Sequence, residues 1–291
     1  MVRVFKKVAR AVGLDPRWLY QNLSVASLNA AARDQGLDKL IANLRRVVPD
    51  LSGQYTTDFD SNDYDAYWEI KLRGIHAFQV QLAVDAIARV NKQTVTVADI
   101  GDSAGTHAIY INDIVGSDIL NRFVSVNLDP IAVEKIKARG GDAILCRAEE
   151  LDHKEINPDL YLSFETLEHL TDPLRFLHDL SSKGSAQFAA ITVPYRKDSR
   201  FGGDLMRQPL STMPQGLTAE RTHIFELNPA DWQQLARFAG WRAVETRVYR
   251  QYPMYHPLRA MAPLWRALDF EGFLGLILER DTALSDRYQD W

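Results

Sequence analysis

The segment Val95-Thr-Val-Ala-Asp-Ile-Gly-Asp-Ser-Ala-Gly-Thr-His107 constrains the fold more than any other stretch of the chain. An apolar, β-branched run ends on an acid, and a turn with glycines at 101 and 105 then opens onto a helical pattern. Glycine has no Cβ, so other atoms can approach its backbone closely, and a helix N-terminus offers free N–H groups. Such a strand–turn–helix unit suits the first crossover of an open α/β sheet, where small ligands bind outside the carboxyl ends of the strands. Strand-like runs alternate with helical ones through Val193, which predicts an α/β, doubly wound, mostly parallel sheet with right-handed connections.

Further landmarks follow in order. They are Phe123-Val-Ser-Val-Asn127-Leu-Asp-Pro130, Cys146-Arg-Ala-Glu-Glu-Leu151, Asp159-Leu-Tyr-Leu-Ser-Phe-Glu-Thr-Leu-Glu168-His169-Leu-Thr-Asp-Pro173, Ile191-Thr-Val-Pro194, and Arg221-Thr-His223-Ile-Phe-Glu leading to Gly240-Trp241. Together with the glycine turn they resemble the class I S-adenosylmethionine-dependent methyltransferases, in the branch that includes ubiquinone-pathway O-methyltransferases and many glycan enzymes. The resemblance covers about half the chain, from Val95 to about Val244. It implies a seven-stranded Rossmann-like sheet with a helical N-terminal cap and an aromatic C-terminal extension. It also implies an S-adenosylmethionine site built from Arg73, Asp99, Gly101, Asp102, Ser103, Gly105, Asn127, Leu128, Ala148, Glu149 and Phe164.

Three positions depart from that pattern. Ser103 stands where the middle glycine is usual, Asn127 where an acid usually meets the ribose, and Arg147 where many relatives have an adenine-binding Asp. Asn can bond both ribose hydroxyls without the strength of a charged acceptor, and Asp129 lies two residues on, on the same side if the strand continues. Arg cannot accept the adenine amino group.

Transfer of a methyl group to a hydroxyl requires something to take the proton. Glu165, Glu168 and His169 share a face if their turn is helical, and His223 returns on the closing segment. His169 and Glu165 are the catalytic candidates. Glu165, Glu168, His169 and His223 are also the candidate ligands of a divalent metal, Mg²⁺ or Mn²⁺, and the pattern is similar to the metal site of small-RNA 2′-O-methyltransferases. Metal ligand, metal-free base and packing residue all remain open for His169. The expected function is methylation of an oxygen on a small-molecule, sugar or lipid-linked glycan acceptor. The rival reading is a non-catalytic, methyltransferase-like subunit that binds a protein partner.

Composition sets the remaining bounds. The chain has 291 residues, 46% of them hydrophobic, and a net charge of −4, which supplies an ample core and no global pull toward nucleic acid. Its single cysteine, Cys146, excludes an intramolecular disulfide, and its apolar setting suggests a buried structural thiol. A cytoplasmic location is expected, because no run approaches the roughly 20 apolar residues of a spanning helix. Residues 1–90 read as a helical cap and lid, 91–250 as the cofactor-binding core, and 251–291 as an extension packing on the core or a partner. Val2, Val4, Phe5, Val8 and Val12 interleave with Arg3, Lys6, Lys7 and Arg10 in a basic amphipathic helix, suited either to packing or to peripheral membrane contact. Arg196, Lys197, Arg200 and Arg207 lie in a long connection and suggest an anionic acceptor or a solvated loop. The aromatic tail suggests core or homodimer contacts.

Overall fold

The computed structural model describes residues 13, 15–54, 66–263 and 272–291, and the basic amphipathic segment of residues 2–12 lies outside them. Cα packing divides the chain into two compact units, Met1–Phe78 with Val248–Phe273, and Gln79–Arg247 with Leu274–Trp291.

The first unit contains helices α1 (Pro16–Asp34) and α2 (Asp38–Val47) and the start of a long helix α3 (Ala66–Val90). Ile41 and Leu44 of α2 are buried, as their helical spacing predicts. Gln35 holds the later segment to the end of α1 through paired bonds. Its amide nitrogen donates to Arg250 O, and its amide oxygen accepts from Arg250 N, both at 2.9 Å. The Asp34 carboxylate accepts from the backbone of Met254 and Tyr255. Tyr67 and Phe78 are buried, as packing residues should be.

The second unit is built on seven strands: β1 (Val95–Ile100), β2 (Leu120–Asn127), β3 (Asp142–Leu145), β4 (Leu160–Phe164), β5 (Phe188–Pro194), β8 (Trp241–Tyr249) and β9 (Phe273–Arg280). Their order is β3-β2-β1-β4-β5-β9-β8, and the pairings from β3 through β5 are parallel. All five residues of β4 are buried, as expected of a strand covered on both faces. Around the sheet lie α4 (Thr106–Val115), α5 (Pro130–Ala138), the short α6 (His153–Ile156), α7 (Pro173–Ser182) and α8 (Pro229–Phe238).

Three of these helices begin with the same local device. Asp129-Pro130, Asp172-Pro173 and Asn228-Pro229 each place an Asx side chain at the cap, accepting a backbone N–H, and a proline at the first helical position. The cap satisfies an otherwise orphaned donor, and proline has no donor there to lose.

Two features differ from the sequence reading. The strand between β5 and β8 is β9, drawn from the segment read as an extension, with Leu274, Leu276, Ile277 and Leu278 fully buried. Part of the long connection after β5 is ordered as a second, two-stranded antiparallel sheet of β6 (Arg200–Phe201) and β7 (Phe225–Glu226). Among the described residues, no helix is long and apolar enough to cross a membrane.

Candidate active site

The parallel sheet reverses its order between β1 and β4, and the carboxyl ends of β1, β2, β4 and β5 carry the polar residues that the sequence singled out. Gly101 and Gly105 both adopt positive φ, +99° and +70°, which explains glycine at those positions. At Gly101 an added Cβ would also lie 2.1 Å from Thr166 Oγ1, whose hydroxyl sits 3.1 Å from Ile100 O. Asp102 turns inward: one carboxylate oxygen accepts from Ala104 N and Gly105 N, and the other from the Ser125 hydroxyl at 2.7 Å. This buried carboxylate therefore shapes the turn.

Asn127 ties the end of β2 to the same turn. Its Nδ2 donates to Asp102 O at 2.9 Å, and its Oδ1 accepts from Asp129 N at 2.8 Å. Each amide atom retains one further hydrogen-bonding position. The Asp129 carboxylate caps α5 through Ile131 N. Leu128, Ile131 and Leu145 are exposed and give the ends of β2 and β3 an apolar rim. Ala148 and Glu149 form the 3₁₀ turn after β3, with Arg147 3.7 Å from Glu149. Cys146 is half-buried and not fully buried as the sequence suggested. Burial and the charges of Glu150 and Glu155 push its thiol up, away from the reactive thiolate.

The acidic and histidine residues gather beyond β4. Glu165 follows the strand with φ +51°, an unusual backbone for a side-chain-bearing residue. Its N–H donates to Thr192 O at 2.9 Å. Glu168 and His169 lie on a 3₁₀ turn, Leu167–His169, where Glu168 O accepts from Ile224 N at 2.7 Å and so docks the His223 segment. His169 and His223 pack edge to face with ring centroids 4.8 Å apart. Each donates from Nδ1, His169 to Thr222 O at 3.1 Å and His223 to Glu226 Oε1 at 3.0 Å. Each Nε2 is thereby left as the ring's lone-pair nitrogen.

The electrostatics follow from burial. Glu168 is 1% exposed, and among the described residues neither of its carboxyl oxygens has a hydrogen-bond partner. Burial, reinforced by the charges of Glu165 and Glu226, holds its carboxyl well above the usual range. Burial pushes Glu165 up to about 8 against a hydrogen bond from Thr192. Burial and the neighbouring His223 bring His169 down to about 4. Burial works against the charge on Glu226 too, but hydrogen bonds from His223 and Arg200 and the charge of Arg196 outweigh it and bring its carboxyl down to about 2.

Glu168, His169 and His223 each bring one donor atom to within 4.8 Å of the others, and Glu165 stands outside that set. Two imidazole lone pairs and a buried carboxylate are a donor set that fits a divalent cation. The expectation that Arg73 helps to build the S-adenosylmethionine site finds no support. Its guanidinium is fully buried in the first unit, donating to Glu69 and to the carbonyls of Leu44, Val48 and Pro49 at the end of α2. Arg207 likewise donates to Phe201 O and Gly202 O.

Sequence reasoning passed over Gln79, Thr192 and Glu226, all buried. Gln79 donates to the Thr192 hydroxyl at 3.1 Å, and its amide oxygen lies 3.2 Å from His107 Nε2. A threonine inside the apolar run Ile191-Thr-Val193, and a glutamine inside the apolar part of α3, were the available signals.

No protein-family model and no curated protein sequence matches the chain. Solved structures do. A chain from the complex between the Haloferax volcanii Trm112 methyltransferase activator and a methyltransferase aligns with a TM-score of 0.50 and 16% identity, over 74% of this chain and 94% of that one. A sarcosine dimethylglycine methyltransferase-like structure from Galdieria sulphuraria aligns with a TM-score of 0.50 and 13% identity, over 84% of this chain and 98% of that one. The fold is that of the class I methyltransferases. The [4+2]-cyclase SpnF aligns as well, with a TM-score of 0.50 and 13% identity over 87% and 97%, so the same scaffold also carries other chemistry.

Proposed function

We propose that the chain is an S-adenosylmethionine-dependent O-methyltransferase acting on a small-molecule, sugar or lipid-linked glycan acceptor. The observation that carries this reading is the pairing of the Gly101–Gly105 turn with the Glu165, Glu168, His169 and His223 cluster along one edge of one sheet. When bound, the cofactor supplies an electrophilic methyl group. Asp99, Gly101, Asp102, Ser103 and Gly105 would frame its amino-acid end, and the remaining hydrogen-bonding positions of Asn127 would meet the ribose. Leu128, Ala148 and Glu149 would border the adenine, and Phe164 would line the same site.

Glu165 is the proton acceptor, since a carboxyl raised to about 8 is matched to proton transfer near neutral pH. His169, with a pKa near 4, is too weakly basic for that task and orients the acceptor hydroxyl through Nε2. Where a divalent ion is held by Glu168, His169 and His223 instead, His169 Nε2 would ligate it, and the ion would act as a Lewis acid on that hydroxyl. Two imidazoles favour Mn²⁺ over Mg²⁺.

One observation favours a non-catalytic, partner-binding subunit: Asn127 and Asp129 are both engaged in turn and cap structure. Calorimetric titration with S-adenosylmethionine and S-adenosylhomocysteine, with and without Mn²⁺, separates the two. Micromolar binding supports the enzyme, and an acceptor screen follows from it. Absence of binding up to millimolar cofactor, with and without Mn²⁺, overturns the enzyme reading.

A further inference from the structure

A row of buried polar side chains crosses the second unit from the glycine turn to the candidate proton acceptor. Asp99 Oδ2 lies 2.9 Å from His107 Nδ1, and His107 Nε2 lies 3.2 Å from Gln79 Oε1. Gln79 Nε2 donates to Thr192 Oγ1 at 3.1 Å, and the Thr192 hydroxyl donates to the Glu165 carboxyl. Asp99, His107, Gln79 and Thr192 are 1%, 7%, 3% and 0% exposed, and Phe164 packs edge-on against His107 at 5.1 Å. In so dry a setting, a donor or acceptor left unmatched is costly.

Giving the Thr192 hydrogen to Glu165 sets the direction of every other bond. The Thr192 hydroxyl has one hydrogen; if that hydrogen goes to Glu165, its oxygen must accept from Gln79. The Gln79 amide then turns its oxygen to His107, and His107 must donate from Nε2. With the amide reversed, Gln79 would take the Thr192 hydrogen and Glu165 would lose its donor. Two states of the Asp99–His107 pair provide an Nε2–H, a carboxylate with an imidazolium and a protonated acid with a neutral ring. Both leave the pair without net charge, which avoids burying a lone ion. Burial favours a neutral His107, but the charge and hydrogen bond of Asp99 outweigh it and raise its pKa. Asp99 is itself raised, chiefly by burial.

We propose that Asp99, His107, Gln79 and Thr192 form a positioning relay that keeps the Thr192 hydroxyl aimed at Glu165, so that β1 and α4, which flank the glycine turn, set where the carboxyl points. Thr192 holds Glu165 twice, through its own carbonyl and through its hydroxyl, at a residue whose φ of +51° needs such support. The role given to Glu165 rests on the function proposed above; the direction of the relay does not.

The test is ¹⁵N NMR of the full chain labelled in its histidine rings, with no cofactor or acceptor present and His107 assigned from His107→Asn. The expected wild-type result is a proton-bearing Nε2 on His107 at neutral pH. Thr192→Val removes the acceptor that orients Gln79, so the Nε2–H resonance should shift or broaden, and Thr192→Ser should restore it. A bare Nε2 in the wild type overturns the relay even if Thr192→Val fails to fold. An unchanged resonance in a folded Thr192→Val overturns it as well. Once an acceptor is in hand, Thr192→Val should lower kcat at least tenfold with the cofactor KM unchanged, and Thr192→Ser should recover most of it. A relay seen by NMR in a protein that binds no S-adenosylmethionine would refute the enzyme reading and leave the relay standing.

Discussion

Glu165 combines a left-handed backbone, costing about 1–3 kcal/mol in a non-glycine residue, with a carboxyl pushed up to about 8. Its ordinary value is 4.5, so the unfolded chain gives up this proton before the folded one does. Stability from this group is complete below about pH 4.5 and is lost as pH rises through about 8. In chelator-treated protein, Glu165→Gln should therefore gain Tm relative to wild type across that interval. The difference should reach a few degrees by pH 9, and a pH-independent difference in thermal melts would contradict the assignment. His169→Ala should lower turnover by about 10²-fold through lost orientation of the hydroxyl, measured on the true acceptor at saturating cofactor. The spacing of Glu165, Glu168 and His169 was legible in the sequence, and so was the return of His223. What the sequence did not convey is that Glu165 stands apart from the other three, because that follows from its φ and from the strand register that sets it beside Thr192. Glu226 escaped notice because its importance lies in holding His223 and two arginines, contacts made only by folding.

Among the elements, the glycine turn is packed against its own protein. Gly101→Ala meets both the positive φ and the Thr166 hydroxyl, and it should destabilise by about 2–4 kcal/mol in chemical denaturation. Gly101→Ala with Thr166→Ala relieves the collision but not the backbone, so about half of the loss should return. The end of α2 gives a second case. Arg73 satisfies the carbonyls of Leu44, Val48 and Pro49, so Arg73→Met should lower stability by about 2–4 kcal/mol while leaving the S-adenosylmethionine Kd within twofold. A selective loss of cofactor affinity would return Arg73 to the binding site. The elements themselves were readable where local chemistry suffices: the turn after β1, the Asx-Pro caps, the apolar spacing of α2. Arg73 was not, because an arginine on a helix of unknown placement looks the same in sequence whether it meets a ligand or closes another helix.

At the scale of the whole molecule, the order β5-β9-β8 means that the last strand in the chain fills a place inside the sheet. Alternation alone could not reveal this, since Phe273–Arg280 follows a proline- and aromatic-rich stretch that reads as a tail. Truncation after Gly272 should abolish cooperative unfolding of the Gln79–Arg247 region, seen as loss of the calorimetric transition. A truncated chain with a native-like melt would show that β9 is dispensable. The same placement has a consequence for synthesis on the ribosome. From the emergence of Pro194 until Arg280 leaves the exit tunnel, roughly 5–15 s at typical rates, the nascent chain carries an unpaired β5 edge that is buried in the finished fold. Open edges of that kind pair with one another. The yield of this protein in a cell should therefore depend on translation speed between Pro194 and Arg280 and on chaperone supply during that window.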